Sequence, residues 1–248
     1  MKIFNRVGRI LSSPQLTCGL LAYSVFFVFF ASLEILELGI ARVQAEFFEA
    51  WFCKFWAFPI YIFGGMSIGL LAFTNLIFSL VRFFRFNLKG ISFVIIHISL
   101  VALILSGFLQ SKLRLEAMLA LEKGVPTSKL VEKTIDEKAD KIIPLNFAIE
   151  LVEFEQKNWE NTDLPSSFSS RVKFIKGEDV SEKIITMNEP ASFEGWTFFQ
   201  MSYKENGLIS ILQAVKNPYG FLPAWSVCGV FVGIILMYLN RVLKRRNM

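Results

Sequence analysis

Four long apolar stretches stand out from the polar pattern of this 248-residue chain, at Thr17 to Leu36, Phe58 to Phe84, Ile91 to Leu109 and Phe221 to Leu239. A hydrocarbon core of ~30 Å needs about 20 apolar residues at 1.5 Å of rise each, so each stretch predicts a membrane-spanning helix. The first is expected to remain as a helix and not to be removed as a signal peptide. Its apolar run is too long, and acidic Glu34 and Glu37 come where a small-residue cleavage site would stand.

Between the first two helices, Glu37 to Ala57 carries Ala41, Ala45, Phe48 and Phe52 at helical spacing, with Glu46, Glu49 and Lys54 off that face. That pattern predicts an amphipathic segment lying in the outer interface, with Trp51 and Trp56 in the aromatic belt. Setting the spacing of the helices and lining a site are both open to it.

From Lys112 to Pro218 the period changes to two. Leu145, Phe147, Ile149 and Leu151 alternate with Asn146, Ala148 and Glu150, and Phe168, Val172 and Phe174 lie around Arg171 and Lys173. Trp196, Phe198 and Gln200 interleave with Thr197, Phe199 and Met201, and Ile209, Ile211 and Gln213 with Ser210 and Leu212. These are strands. Turn chemistry divides them at Asn161 to Pro165, Lys176 to Asp179, Asn188 to Pro190, Asn206 to Gly207 and Asn217 to Gly220. A small antiparallel sandwich or open barrel is expected, tethered to the membrane at both ends.

The fold class is therefore an integral membrane protein of four transmembrane α-helices, with an extracytoplasmic, mainly antiparallel β domain inserted between helices three and four. The expected divisions are a membrane domain over 1–111, with helices at about 17–36, 58–84 and 91–109 and the amphipathic segment at 37–57; a β-rich domain over 112–218; and a fourth helix with a basic tail over 219–248. Gly65-x-x-x-Gly69 and Gly229-x-x-x-Gly233 add a packing signal, because small residues four apart let another helix come close. Packing within the chain is the favoured use of both, ahead of docking onto a second protein.

Composition agrees with a membrane protein: 54% of residues are hydrophobic, 27 are Phe and the mean hydropathy is +0.49. Charge supplies the orientation. Lys2, Arg6 and Arg9 precede helix one; Arg82, Arg85 and Lys89 join helices two and three; Arg241, Lys244, Arg245 and Arg246 follow helix four. These ten basic residues have no Asp or Glu among them, which places those segments and both termini on the cytoplasmic side of an inner membrane. The remaining 16 basic and 21 acidic residues, from totals of 26 and 21, leave the outer part at −5 although the whole chain is +5. The inner charge faces anionic lipid, and no nucleic-acid partner is expected.

The chain shows no phosphate-cradling glycine loop, HExxH or nucleophile elbow. Cys18, Cys53 and Cys228 form no C-x-x-C, so neither thiol exchange nor covalent haem attachment to this chain is indicated. Cys53 and Cys228 both fall near the outer face; two inert apolar thiols are favoured over a pair.

His97 is the single histidine. It lies seven residues beyond Gly90 in an apolar run, about 10 Å into the bilayer. An ionisable ring there is either a functional group or half of an interhelical hydrogen bond, to a hydroxyl such as Thr74 or Ser67. The functional alternative is axial ligation of haem, for which one His supplies one side of a bis-His site.

Several segments together resemble the ResB (CcsB) family of System II cytochrome c maturation. They are Leu16-Thr17, His97-Ile98-Ser99-Leu100 with Gly107-Phe108, Pro144-Leu145, the run from Met187 through Asn188-Glu189-Pro190 and Gly195-Trp196 to Tyr203, and Asn217-Pro218. The resemblance implies a subunit of a holocytochrome c synthase (haem lyase) complex that takes part in haem export across the membrane and haem attachment to CxxCH apocytochromes c. It implies His97 as one axial ligand of a transmembrane haem b held transiently and without a covalent bond. The second ligand would come from a CcsA/ResC-type membrane protein with a tryptophan-rich segment that this chain lacks. Apocytochrome c and a thioredoxin-like thiol reductase are the further partners implied, with a non-catalytic or accessory role for this chain. The Met187 to Tyr203 run is itself expected to be a core strand and turn. A non-haem assembly protein and a b-type respiratory cytochrome subunit are the competing readings, the latter disfavoured because such subunits carry several intramembrane His.

Overall fold

The computed structural model describes residues 2–55, 60–132, 141–160, 162, 165–204 and 207–246. The chain divides into two compact units, Met1–Lys112 with Tyr219–Met248, and Leu113–Pro218.

The helical unit opens with α1 (Lys2–Leu11), which hydropathy alone does not separate from the first long helix, and continues with α2 (Pro14–Leu38). The break between them is built locally. Ser13 caps α2 by accepting from Leu16 N, and Pro14 stands at the first turn, where its missing N–H costs nothing. Asn75 of α4 (Gly65–Phe83) holds the break from across the bundle. Its Nδ2 donates to Leu11 O at 2.6 Å, and its Oδ1 accepts from Thr17 Oγ1 at 2.7 Å. Arg82 Nη1 donates to Ser12 Oγ at 2.8 Å on the same junction. α2 stops at Gly39, whose φ of 78° is a left-handed conformation that a side chain resists.

The segment expected to be one amphipathic helix is broken into α3 (Ile40–Val43), a π-helical turn at Gln44–Phe48, and β1 (Phe52–Cys53) paired antiparallel with β2 (Ile62–Phe63). Its buried residues are Val43, Phe47, Cys53 and Phe55, packed on Phe27 and Ala31 of α2. The expected face is wrong: Ala41, Ala45, Phe48 and Phe52 are exposed. The π turn adds a residue to the helical repeat, and the strand then changes the period altogether. Trp56 and Phe58, placed in the belt and at the start of helix two by the sequence, lie outside the described residues. α4 begins only at Gly65 because Gly64 and Gly65 pass beneath the Ala50 and Phe48 carbonyls, where a Cβ would collide with backbone.

α5 (Leu88–Leu113) and α6 (Leu222–Arg246) extend the last two expected helices at both ends or at the C-terminal end. Among the described residues four helices, α2, α4, α5 and α6, are long and apolar enough to cross a membrane.

In the second unit eight described strands make one antiparallel sheet: β3 (Leu115–Glu122), β4 (Thr127–Glu132), β5 (Lys141–Asn158), β6 (Pro165–Lys176), β7 (Asp179–Thr186), β8 (Ala191–Phe193), β9 (Trp196–Lys204) and β10 (Ile209–Lys216), in the spatial order 7-6-5-4-3-10-9-8. The sheet curls until its two edges meet. Lys183 Nζ of β7 donates to Ser192 O of β8 at 2.6 Å, and Thr186 N donates to Glu189 O at 3.0 Å. The arrangement is the open barrel of the two expected forms. Leu121, Leu130, Ile149, Leu151, Phe174, Phe198 and Leu212 fill it.

β10 turns Ser210, Leu212 and Ala214 inward and leaves Ile209 and Ile211 half-buried. The inward Ser210 is satisfied by Gln200 Nε2 at 3.0 Å and Ser170 Oγ at 2.7 Å, a buried polar set that ties β6, β9 and β10 together. The Met187 to Tyr203 run is a turn, the short β8, a tight hairpin and β9. Glu194 and Gly195 take φ of 49° and 79° at the hairpin, matching the twist of the paired strands. The turns expected at Asn161 to Pro165 and Asn206 to Gly207 lie partly outside the described residues.

Candidate functional site

His97 stands in the N-terminal half of α5, a helix entered through Asn87, whose Oδ1 accepts from Gly90 N at 2.8 Å. One turn earlier lies Phe93, and His97 Nδ1 is 2.9 Å from the Phe93 carbonyl oxygen. A carbonyl only accepts, so the proton is on Nδ1 and Nε2 keeps its lone pair. The Phe93 ring sits over the imidazole with centroids 3.8 Å apart, which fixes the ring plane. Among the described residues Nε2 has no protein partner.

Among the described residues the two hydroxyls suggested as interhelical partners are used elsewhere. Thr74 Oγ1 donates to Leu70 O at 2.7 Å and Ser67 Oγ to Trp51 O at 2.6 Å, so both hydroxyls are turned to backbone and neither meets His97.

His97 is half-buried. α6 packs on the adjoining side through Gly229 and Gly233: a Cβ at Gly229 would strike Ser99 Oγ, and one at Gly233 would lie 2.5 Å from Ile96 Cγ1. This glycine pair is an in-chain helix contact, as favoured from the sequence. The other pair is divided. Gly65 admits the Phe48 backbone, and Gly69 meets no atom within 4 Å of its Cβ position. Toward the α4–α5 loop, Phe93 closes against Phe83 of α4, ring to ring at 6.5 Å. Toward the other end an open groove of about 840 Å³ lies between α4 and α5, lined by Phe48, Trp51, Met66, Gly69, Ile104 and Phe108 among others.

An imidazole with its Nδ1–H tied to backbone, its plane held by an aromatic neighbour and Nε2 free has the form of an axial ligand whose orienting partner is already in place. Such a ring could hold a metal through Nε2. The sequence singled out His97 but not the cavity beside it, because Gly69 and Gly107 open onto the same space from two different helices. Asn75 was also missed; a lone amide in a hydrophobic helix was its available signal. Cys18, Cys53 and Cys228 are all free thiols, and burial pushes the Cys53 thiol up to about 11, which makes it inert near neutral pH.

Residues 87–221, from the start of α5 to the threshold of α6, match the family model described as the ResB-like family. Protein NrfI of Wolinella succinogenes is 31% identical over 109 residues, covering 42% of this chain and 12% of that protein. The chain therefore spans about an eighth of the length of the curated relative it matches. A solved structure of cytochrome c heme lyase CcmF aligns over 70% of this chain and 30% of its own, at 12% identity and a TM-score of 0.39.

Proposed function

The chain belongs to the ResB-like family, and from that premise we propose that this multi-pass membrane protein works in cytochrome c biogenesis as the haem-holding partner in a System II cytochrome c synthetase complex. In this role His97 Nε2 is one axial ligand of a haem b within the membrane. A CcsA/ResC-type membrane protein supplies the ligand on the opposite face. The haem supplies the vinyl groups that become thioethers on a CxxCH apocytochrome, and the thioether chemistry resides mainly on the partner. The ten basic residues of the terminal and α4–α5 segments support an orientation with both termini on the cytoplasmic side of the inner membrane, and in this reading Leu113–Pro218 is extracytoplasmic, where the apocytochrome arrives.

The observation that carries the ligand role is the His97 geometry: Nδ1 donates to Phe93 O and Nε2 is left without a protein partner among the described residues. Hydrocarbon offers no partner to a polar group, so an intramembrane imidazole kept only for packing would be expected to use both nitrogens within the protein. Co-purification of the chain with its partner, for wild type and His97→Ala, tests the assignment. The expected result is loss of the low-spin bis-His spectrum in the variant while the two proteins still associate; an unchanged spectrum and haem content would refute it.

A further inference from the structure

The short helix α1 carries three pairs of residues at a spacing of three, and each pair faces a different way. Gly8 and Leu11 form its α4 side: a Cβ at Gly8 would lie 3.6 Å from the Phe78 ring, and Leu11 O accepts from Asn75 Nδ2 at 2.6 Å. Val7 and Ile10, one residue earlier and so about 100° round the helix, are apolar yet exposed. Arg6 and Arg9, a further ~100° round, are exposed and basic. Ser13 is extended, at φ −81° and ψ 137°, so the chain turns at the junction and α1 leaves the line of the membrane-spanning α2.

Arg82, in the last turn of α4, reaches the same place. Its Nη1 donates to Arg9 O at 3.3 Å, which sets a third guanidinium beside the basic pair. The chain offers these groups no counter-charge. Its sequence has no Asp or Glu before Glu34 and none from Phe58 to Leu115, and among the described residues no carboxylate pairs with Arg6, Arg9 or Arg82.

We propose that α1 lies in the membrane interface and binds anionic phospholipid, with Val7 and Ile10 entering the acyl region and Arg6, Arg9 and Arg82 holding headgroup phosphates. The two arcs together choose the occupant. A free phosphate would answer the guanidinium groups and leave Val7 and Ile10 in water. A zwitterionic lipid would cover the apolar pair and leave the positive charge uncompensated. Anionic lipid meets both needs from one side of the helix, the pattern of an interfacial amphipathic segment. Lipid charge then bears on the bundle, because the α1–α2 break is the one pinned by Asn75 and Arg82. The inference is independent of the haem-holding role.

Hydrogen exchange on the full chain in nanodiscs tests it, in phosphatidylcholine alone and with about one lipid in three replaced by phosphatidylglycerol. A ligand that binds folded α1 suppresses its local opening. The α1 amides are expected to exchange on the order of tenfold more slowly in the anionic discs, and the double variant Arg6→Gln, Arg9→Gln to abolish that difference. Val7→Ser with Ile10→Ser should speed α1 exchange in both kinds of disc. Unchanged protection of α2 and of the β strands verifies that each variant is folded. Wild-type α1 exchange that ignores lipid charge overturns the proposal and leaves the exposed arcs to a protein partner. Equal slowing by inorganic phosphate in phosphatidylcholine discs overturns it in favour of a free anion. Slowing by phosphatidylglycerol that persists in the double arginine variant overturns it as well.

Discussion

Within Leu113–Pro218 the side chains of Leu121, Leu130, Ile149, Leu151, Val172, Phe174, Ile185, Phe198 and Leu212 are completely shielded, whereas only 11% of the apolar stretch of each long helix in the other unit is buried within the chain. The sheet finds its apolar partners in its own sequence and closes around them. The helices leave theirs to lipid, to another protein or to a ligand. They are held instead by close approach and by polar pins: glycines of α6 against α5, and Asn75 across the break between α1 and α2. The one imidazole lies in the unit whose surfaces are left to be completed from outside, on the side of α5 that α6 does not cover.

The contrast predicts how each unit breaks. Phe174→Ala removes a ring packed between Phe193, at 4.8 Å, and Phe198, at 5.3 Å, and is expected to cost about 3–5 kcal/mol. Hydrogen exchange on the full chain should then accelerate through β5, β6 and β9 and leave α5 unchanged; acceleration spread equally over α5 would show that the two units do not unfold independently. Gly233→Val forces a branched side chain onto Ile96 and is expected to cost about 1–3 kcal/mol by overpacking. The expected readout is a looser α5–α6 contact, seen as faster disulfide cross-linking between cysteines introduced away from the contact, with the β strands still protected.

The smallest effect is electrostatic. Lys176 holds the Glu194 carboxyl below its ordinary value through a 2.9 Å contact at the hairpin. A depressed carboxyl stabilises the fold above its unfolded pKa, about 4.5, and that contribution fades as pH falls through the lower folded value. Lys176→Ala should therefore lower the melting temperature of the β unit slightly at pH 7, with the difference from wild type vanishing toward acid. A difference that grew on acidification would have the wrong sign.

The helices were legible because a 20-residue apolar run has few other uses, and His97 because it is alone in the chain. Helix ends were less so. α2 starts early through Ser13 and Pro14, local chemistry that hydropathy does not weigh, and α4 starts late because Gly64 and Gly65 lie under the backbone of a distant loop. The phase of the segment after α2 was lost to a π turn, which no periodicity reveals in advance. In β10 the sequence offered two apolar faces, and the choice fell to Ser210, whose partners Gln200 and Ser170 come from other strands. The groove was illegible for the same reason: Gly69 and Gly107 read separately as packing glycines, and only the divergence of α4 from α5 makes them walls.

A single bond from His97 Nε2 to iron carries the functional reading, and His97→Gly tests it most directly. In the complex with its partner, this variant should lose the low-spin haem spectrum and regain it when free imidazole is added, since the vacated space admits the missing ring. A low-spin spectrum that persists in His97→Gly without imidazole would contradict the ligand role.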